Sequence, residues 1–174
     1  MATKKFIVVF VGLFVLISWL SGFSPNAIAQ TMKGKGVAAI GKFEMLPVGD
    51  IENHNIGLNT REGMVVFENG EVATTKAIAV WDIVRSGSGW AKGYLNLTFL
   101  DGSTIMTNFH QDYAPAKAEG TVQFDTKISG DIIKGTGKFE GIKGNITTTT
   151  KQLKPEKGEP AGKTVSDVVL NYSK

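Results

Sequence analysis

Residues 90–113, WAKGYLNLTFLDGSTIMTNFHQDY, decide the fold. Two runs rich in aromatic, branched and threonine side chains flank Asp101-Gly102. An Asp-Gly pair tolerates the positive φ values of a tight hairpin turn, so the stretch reads as two antiparallel strands. A two-residue turn pairs Leu100 with Ser103, Phe99 with Thr104, Leu97 with Met106 and Leu95 with Asn108. In that register one face carries Leu95, Leu97, Phe99, Met106 and His110. The other carries Tyr94, Asn96, Thr98, Leu100, Ile105, Thr107 and Phe109. Both faces are substantially apolar, whereas a sheet with one wet face alternates more cleanly. A wall that lines a cavity on one side and meets a partner on the other fits this pattern.

Outward from this hairpin the same grammar repeats. Asn69-Gly70 separates a strand at 63–68 from a long run at 71–85, in which Ala73, Thr75, Ala77, Ala79, Trp81 and Ile83 share a face. Small residues followed by a Trp suit a curved wall that tapers. The Ser-Gly-Ser-Gly sequence at 86–89 reverses the chain. Further strands are expected at 35–46, 54–60, 120–129, 145–153 and 164–172, and no long stretch carries a helical apolar period. The expectation is an all-β fold, an antiparallel up-and-down barrel of about eight strands, with an open sandwich as the alternative. Closure would remove the sheet edges that otherwise aggregate.

The N-terminus differs from everything after it. Lys4 and Lys5 precede a run of apolar residues at 6–20, then Ser21, Gly22, Ser24, Pro25 and Asn26 break any helix. Ala27-Ile28-Ala29 supplies the small residues a signal peptidase reads, so residues 1–29 are expected to be a secretory signal. The apolar run is shorter than the ~20 residues of a spanning helix, so no stable membrane span is expected after cleavage. Residues 30–174 would form one exported barrel domain, periplasmic or extracellular. Lys4 and Lys5 account for two of the 19 basic side chains; against 16 acidic ones the remainder is close to neutral. No basic run interleaved with aromatics is present, which argues against a nucleic-acid partner. The chain has no cysteine, so disulfides, thiol catalysis and Cys-zinc sites are excluded.

The most distinctive motif is GTGKFEGIKG at 135–144. A phosphate-binding loop needs Ser or Thr directly after Gly-Lys, and Phe139 stands there; the dinucleotide fingerprint needs a glycine where Glu140 stands. The motif therefore reads as a tight turn in which Phe139 and Ile142 plug an apolar gap. It also resembles the G-T-G-x-F-x-G-x-x-G segment of the allene oxide cyclase-like barrels, a superfamily that includes plant dirigent proteins. Pro47-Val48-Gly49-Asp50 ahead of Asn53-His54-Asn55-Ile56-Gly57-Leu58, and the hairpin at 99–104, are similar to bacterial members. The resemblance implies an eight-stranded antiparallel barrel, often trimeric, with an elongated apolar cavity. Members of this superfamily steer cyclisation or coupling of reactive intermediates, largely by holding them in shape. No catalytic motif of the plant cyclases or dirigent proteins matches this chain residue by residue, so the fold is carried over and the activity is not.

His54 and His110 are the only histidines. With Glu44, Asp50, Glu62 or Asp112 one of them could form an acid–base pair. No H-x-H or H-E-x-x-H spacing exists, so no metal site is expected, and no motif calls for a cofactor. The candidate ligand contacts are His54, Glu44 and Asn96 as polar groups and Tyr94 and Phe109 as walls. The group around Tyr94 could equally be an outer wall buried in a homo-oligomer. Three readings follow: a barrel that binds a small, largely apolar molecule, an isomerase- or cyclase-type barrel, and an oligomeric barrel with no small ligand.

Overall fold

A computed structural model of the chain describes residues 28–84, 88–116, 120–159 and 161–174. They form a closed barrel of eight strands in chain order. The strands are β1 (Ala29–Pro47), β2 (His54–Phe67), β3 (Val72–Val84), β4 (Gly89–Phe99), β5 (Thr104–Pro115), β6 (Val122–Gly135), β7 (Lys143–Leu153) and β8 (Thr164–Ser173). Each pairs antiparallel with its neighbour, and β8 closes on β1 with Ala29 opposite Ser173 and Ala38 opposite Thr164. The expected all-β antiparallel barrel is thus the observed one. All but the last two residues of the expected signal segment lie outside the described residues. Among the described residues no helix is long and apolar enough to cross a membrane.

Two local features differ from the sequence expectation, and both change which way side chains point. The turn at Asp101-Gly102 holds three residues, not two. Phe99 N–H donates to Ser103 O at 2.9 Å, Gly102 N–H donates to Phe99 O at 3.0 Å, and Gly102 takes φ +81°. This is the three-residue hairpin with a left-handed glycine, and it shifts the register by one. Thr98 therefore faces Thr104, Leu97 faces Ile105 and Leu95 faces Thr107. A one-residue shift moves a whole side-chain set to the opposite face. Ile105, Thr107 and Phe109 join Leu97 and Phe99 inside, while Tyr94, Asn96 and Met106 turn outward.

The second feature is a bulge in β1. Ile40 pairs with Arg61 but Phe43 pairs with Asn59, so one extra residue is accommodated at Gly41-Lys42. Lys42 N–H donates to Thr60 Oγ1 there at 2.9 Å. A bulge reverses the alternation beyond it. Before it Met32, Gly34 and Gly36 face inward; after it Phe43 does, and Glu44 and Leu46 face out. The two short strands expected at 54–60 and 63–68 are one continuous strand, β2.

The interior has two apolar clusters. One joins Met32, Val65, Phe67, Ala73, Leu97, Phe99, Ile105, Ile146, Val168 and Leu170 to Phe139 and Ile142. The last two come from the glycine motif, where a short 3₁₀ turn (Gly137–Phe139) folds across the barrel end. Phe139 lies 4.6 Å from Phe99 and 5.8 Å from Tyr172 between ring centres. Lys138 N–H donates to Ser103 Oγ, and the Thr104 and Thr136 hydroxyls share a 2.7 Å hydrogen bond. The motif is the plug its sequence suggested. The other cluster holds Ala79, Trp81, Ala91, Phe109, Tyr113 and Phe124. Trp81 stacks on Phe43 at 5.2 Å and lies over Gly57, where a Cβ would come within 2.6 Å of the indole. Glycine at 57 is what lets the ring lie flat on the wall.

Candidate functional site

Between the two clusters lies a belt of polar side chains. Strand alternation on β2, β5, β6, β7 and β8 aims Asn59, Arg61, Gln111, Thr126, Thr148, Thr150, Gln152 and Thr164 inward. Most of this belt satisfies itself. Gln111 Nε2 donates to Thr126 Oγ1 at 3.1 Å, Thr126 Oγ1 donates to Thr150 O at 3.3 Å, and the Thr150 and Ser166 hydroxyls meet at 2.8 Å. Thr164 Oγ1 donates to Ala38 O at 3.3 Å.

Arg61 is different. Its Nη2 donates to Gln152 Oε1 at 2.9 Å, while Nη1 is shut off from solvent with no hydrogen-bond partner among the described residues. Burial pushes the guanidinium below its ordinary pKa and pushes the neighbouring Tyr113 phenol above its own; each group partly offsets the other. Arginine still stays charged in such a setting. Trp81 Nε1 is a second buried donor without a partner among the described residues.

Two cavities meet at Arg61. One, of about 100 Å³, is walled by Val65, Leu95, Leu97, Phe109, Ile128, Ile146 and Val168, with threonines between them. The other, of about 50 Å³, is walled by Phe43, Asn55, Asn59, Trp81, Tyr113, Phe124 and Gln152, and Pro155 and Ala161 of the β7–β8 loop border it. Arg61 lines both. Neither lining contains Asp, Glu or His. Arg61 is therefore the one charged side chain among the described residues that lines the interior.

The sequence-expected contacts do not converge. Phe109 stands in the wall of the larger cavity. Tyr94 and Asn96 are on the outer wall, Tyr94 59% exposed and Asn96 donating to Thr98 Oγ1 at 3.1 Å. Glu44 is also outside, in a shallow groove with Leu46, Ile56, Leu58, Val80 and Trp90. His54 sits at the rim where β2 begins. Its Nδ1 lies 2.6 Å from Asp50 and its Nε2 lies 2.7 Å from Asp82. Asp82 first, and Asp50 after it, raise the imidazole above its ordinary pKa, and Asp50 is lowered in return. With both nitrogens engaged, His54 staples the β1–β2 loop to β3. Among the described residues His110 reaches only Asp112, at 2.9 Å. Among the described residues no cluster of His, Asp or Glu could hold a metal ion.

Arg61 was not among the sequence candidates. The signal was present: counting back in twos from Phe67, beside the Asn69-Gly70 turn, passes Val65 and Gly63 and reaches Arg61. Breaking β2 at residue 60 loses that parity.

No protein-family model matches the chain, and no curated protein matches it. Among solved structures, the fold is similar to that of a conserved protein of unknown function, RPA1785 from Rhodopseudomonas palustris. That likeness has a TM-score of 0.53 and 12% identity, covering 85% of this chain and 99% of that one. Two pterocarpan synthase dirigent proteins are more distant, each at 13% identity. PsPTS1 has a TM-score of 0.47, with 87% of this chain and 99% of that one covered; GePTS1 has 0.46, with 88% and 94%. At such identities the likeness to the bacterial protein bears on fold alone.

Proposed function

We propose that this barrel is an exported carrier that holds a small molecule with a largely apolar body in its interior. The observation that carries this reading is the cavity of about 100 Å³ at the centre of the closed barrel, walled by seven apolar side chains and a ring of threonines. A natural core is filled to crystal-like density, and a void of this size forfeits packing unless something occupies it. A cavity of similar scale, roughly 150 Å³, accepts benzene when its walls are apolar. A ligand of ring size, or slightly larger with some side-chain adjustment, matches the space.

The absence of Asp, Glu and His from both linings favours holding over conversion. General acid–base conversion needs a group that moves a proton within about 3 Å of the reacting atom. Export rests on the signal-like residues 1–29. Association between copies has its own support in the outer wall, where Leu46 faces Ile56, Leu58 faces Val80 and Ile78 flanks Tyr94, all of them exposed.

Native mass spectrometry of protein purified from its own host tests the reading. The expected result is an adduct of small organic mass that denaturation releases. A bare chain mass, together with no shift of the Leu95, Leu97 or Ile128 methyl signals on titration with benzyl alcohol, would overturn it.

A further inference from the structure

We infer that the ligand carries a carboxylate, and that Arg61 and Trp81 are the donors that bind it. This rests on the reading of the barrel as a small-molecule carrier and specifies its ligand class. The warrant is an imbalance of hydrogen-bonding groups. Arg61 Nη1 and Trp81 Nε1 are both buried and without partners among the described residues, and both side chains line the smaller cavity. Each is a donor only, since neither guanidinium nor indole N–H can accept. A buried polar atom left unmade costs free energy, and more so when it is charged. Two such atoms beside one cavity call for the same complement: a group that accepts hydrogen bonds and carries negative charge.

The rest of the lining narrows the class. Among the described residues neither cavity lining holds an Asp or Glu to neutralise Arg61, and the neighbouring Tyr113 phenol, kept neutral by burial, brings no charge, so the missing counter-charge would come from the ligand. Nη2 is already committed to Gln152. Nη1 and the indole N–H thus remain for the two oxygens of a planar carboxylate, which accepts from each. The smaller cavity, about 50 Å³, suits such a head and little more, while the larger one beyond Arg61 receives the body. A long acyl chain exceeds this space. The class is a compact monocarboxylate with an apolar body of about one ring.

The test compares benzoate with benzyl alcohol, which keep the ring and change the head. Both are titrated into the full mature barrel and read by calorimetry and by the Trp81 indole N–H signal. Benzoate is expected to bind roughly 10- to 100-fold tighter than the alcohol, the range of a charge-assisted hydrogen bond. Benzoate should also move the Trp81 signal. Arg61→Met should abolish the preference. The same variant should unfold at a higher temperature without ligand, because an uncompensated buried charge has been removed.

Equal affinity for the two probes overturns the carboxylate inference and leaves the carrier reading standing. No binding of either probe overturns both. Displacement of benzoate by inorganic phosphate, with no gain from the ring, also overturns it in favour of a simple anion site. If Arg61→Met fails to fold, Trp81→Phe keeps the stacked ring and removes only the N–H; an unchanged benzoate preference in that variant counts against the assignment.

Discussion

The plugged end of the barrel and the half that holds Arg61 are built from the same strands but meet opposite standards. At the plugged end twelve buried apolar residues form one cluster. Lys138, above it, is paired with Glu71 at 2.6 Å and Asp101 at 3.3 Å, with its ammonium over the Phe99 and Phe139 rings. In the other half one guanidinium nitrogen, Arg61 Nη1, and an indole N–H stand without partners among the described residues, beside open space. The plugged end is thus closed by packed and paired groups, and the opposite half keeps unsatisfied groups that a ligand can complete. Sites that break the rules of packing and pairing are where function is expected.

The largest effect should come from opening the plug. Phe139→Ala removes a ring packed between Phe99 and Tyr172, and it should cost about 3–5 kcal/mol in chemical denaturation. A loss below about 1 kcal/mol would mean that the glycine motif is a detachable lid, and the contrast between the halves would fail.

A substitution at the middle of the barrel sharpens the contrast in the other direction. Thr107 is fully buried, and its hydroxyl has no partner among the described residues. Thr107→Val keeps the shape and removes an unmet polar group, so it should raise stability by about 1 kcal/mol. Destabilisation on that scale would mean that an ordered water or a ligand group satisfies the hydroxyl.

Much of the barrel was legible in the sequence because strand patterning and turn chemistry are local signals. Asp101-Gly102 and Asn69-Gly70 locate their hairpins, and the glycine motif announces its own plug through Phe139 and Ile142. What the sequence hid was parity. The same Asp-Gly pair serves a two-residue or a three-residue turn, and the difference of one residue decides whether Tyr94 shares a face with Phe109. The Gly41-Lys42 bulge decides in the same way that Glu44 points out. Bulges depend on closure of the whole barrel, which no local pattern reports. Arg61 was missed for a related reason: a charged residue on a strand reads as solvated until the strand's inner face is fixed by its far end.

A smaller effect is expected at the rim of the Arg61 half. His54 can donate to both Asp50 and Asp82 only when protonated, and its folded pKa is raised above the ordinary 6.5. The staple's contribution is fully present below that value and is lost as pH rises through the raised folded pKa. Asp50 runs the other way: lowered below 3.8, its share is present above that value and lost as pH falls through the folded one. The β1–β2 loop should thus be held best between the two. The Ile51 amide, which donates to Asp50 at 2.8 Å, should report it by NMR. A midpoint above 6.5 that vanishes in His54→Gln is expected. A midpoint at or below 6.5 would show that the carboxylates do not hold the ring charged.

The smallest effect on the fold should come from the outer wall, and its smallness is informative. Tyr94 is 59% exposed, beside Ile78 on β3 and opposite Asn108 on β5, and its ring contributes nothing to either interior cluster. Tyr94→Ser should change stability by no more than about 0.5 kcal/mol. It should also leave benzyl alcohol binding untouched, because the ring lies on the far side of the wall from the cavity. If the exposed strip that includes Leu58, Ile78 and Val80 joins two copies, the same substitution should weaken association, since an aromatic at the centre of an interface carries a large share of its energy. Sedimentation of wild type and variant over a concentration series separates these outcomes. Loss of ligand binding with association intact would mean that the wall transmits what the outer ring does, and the division of the barrel into an inner site and an outer surface would have to be abandoned.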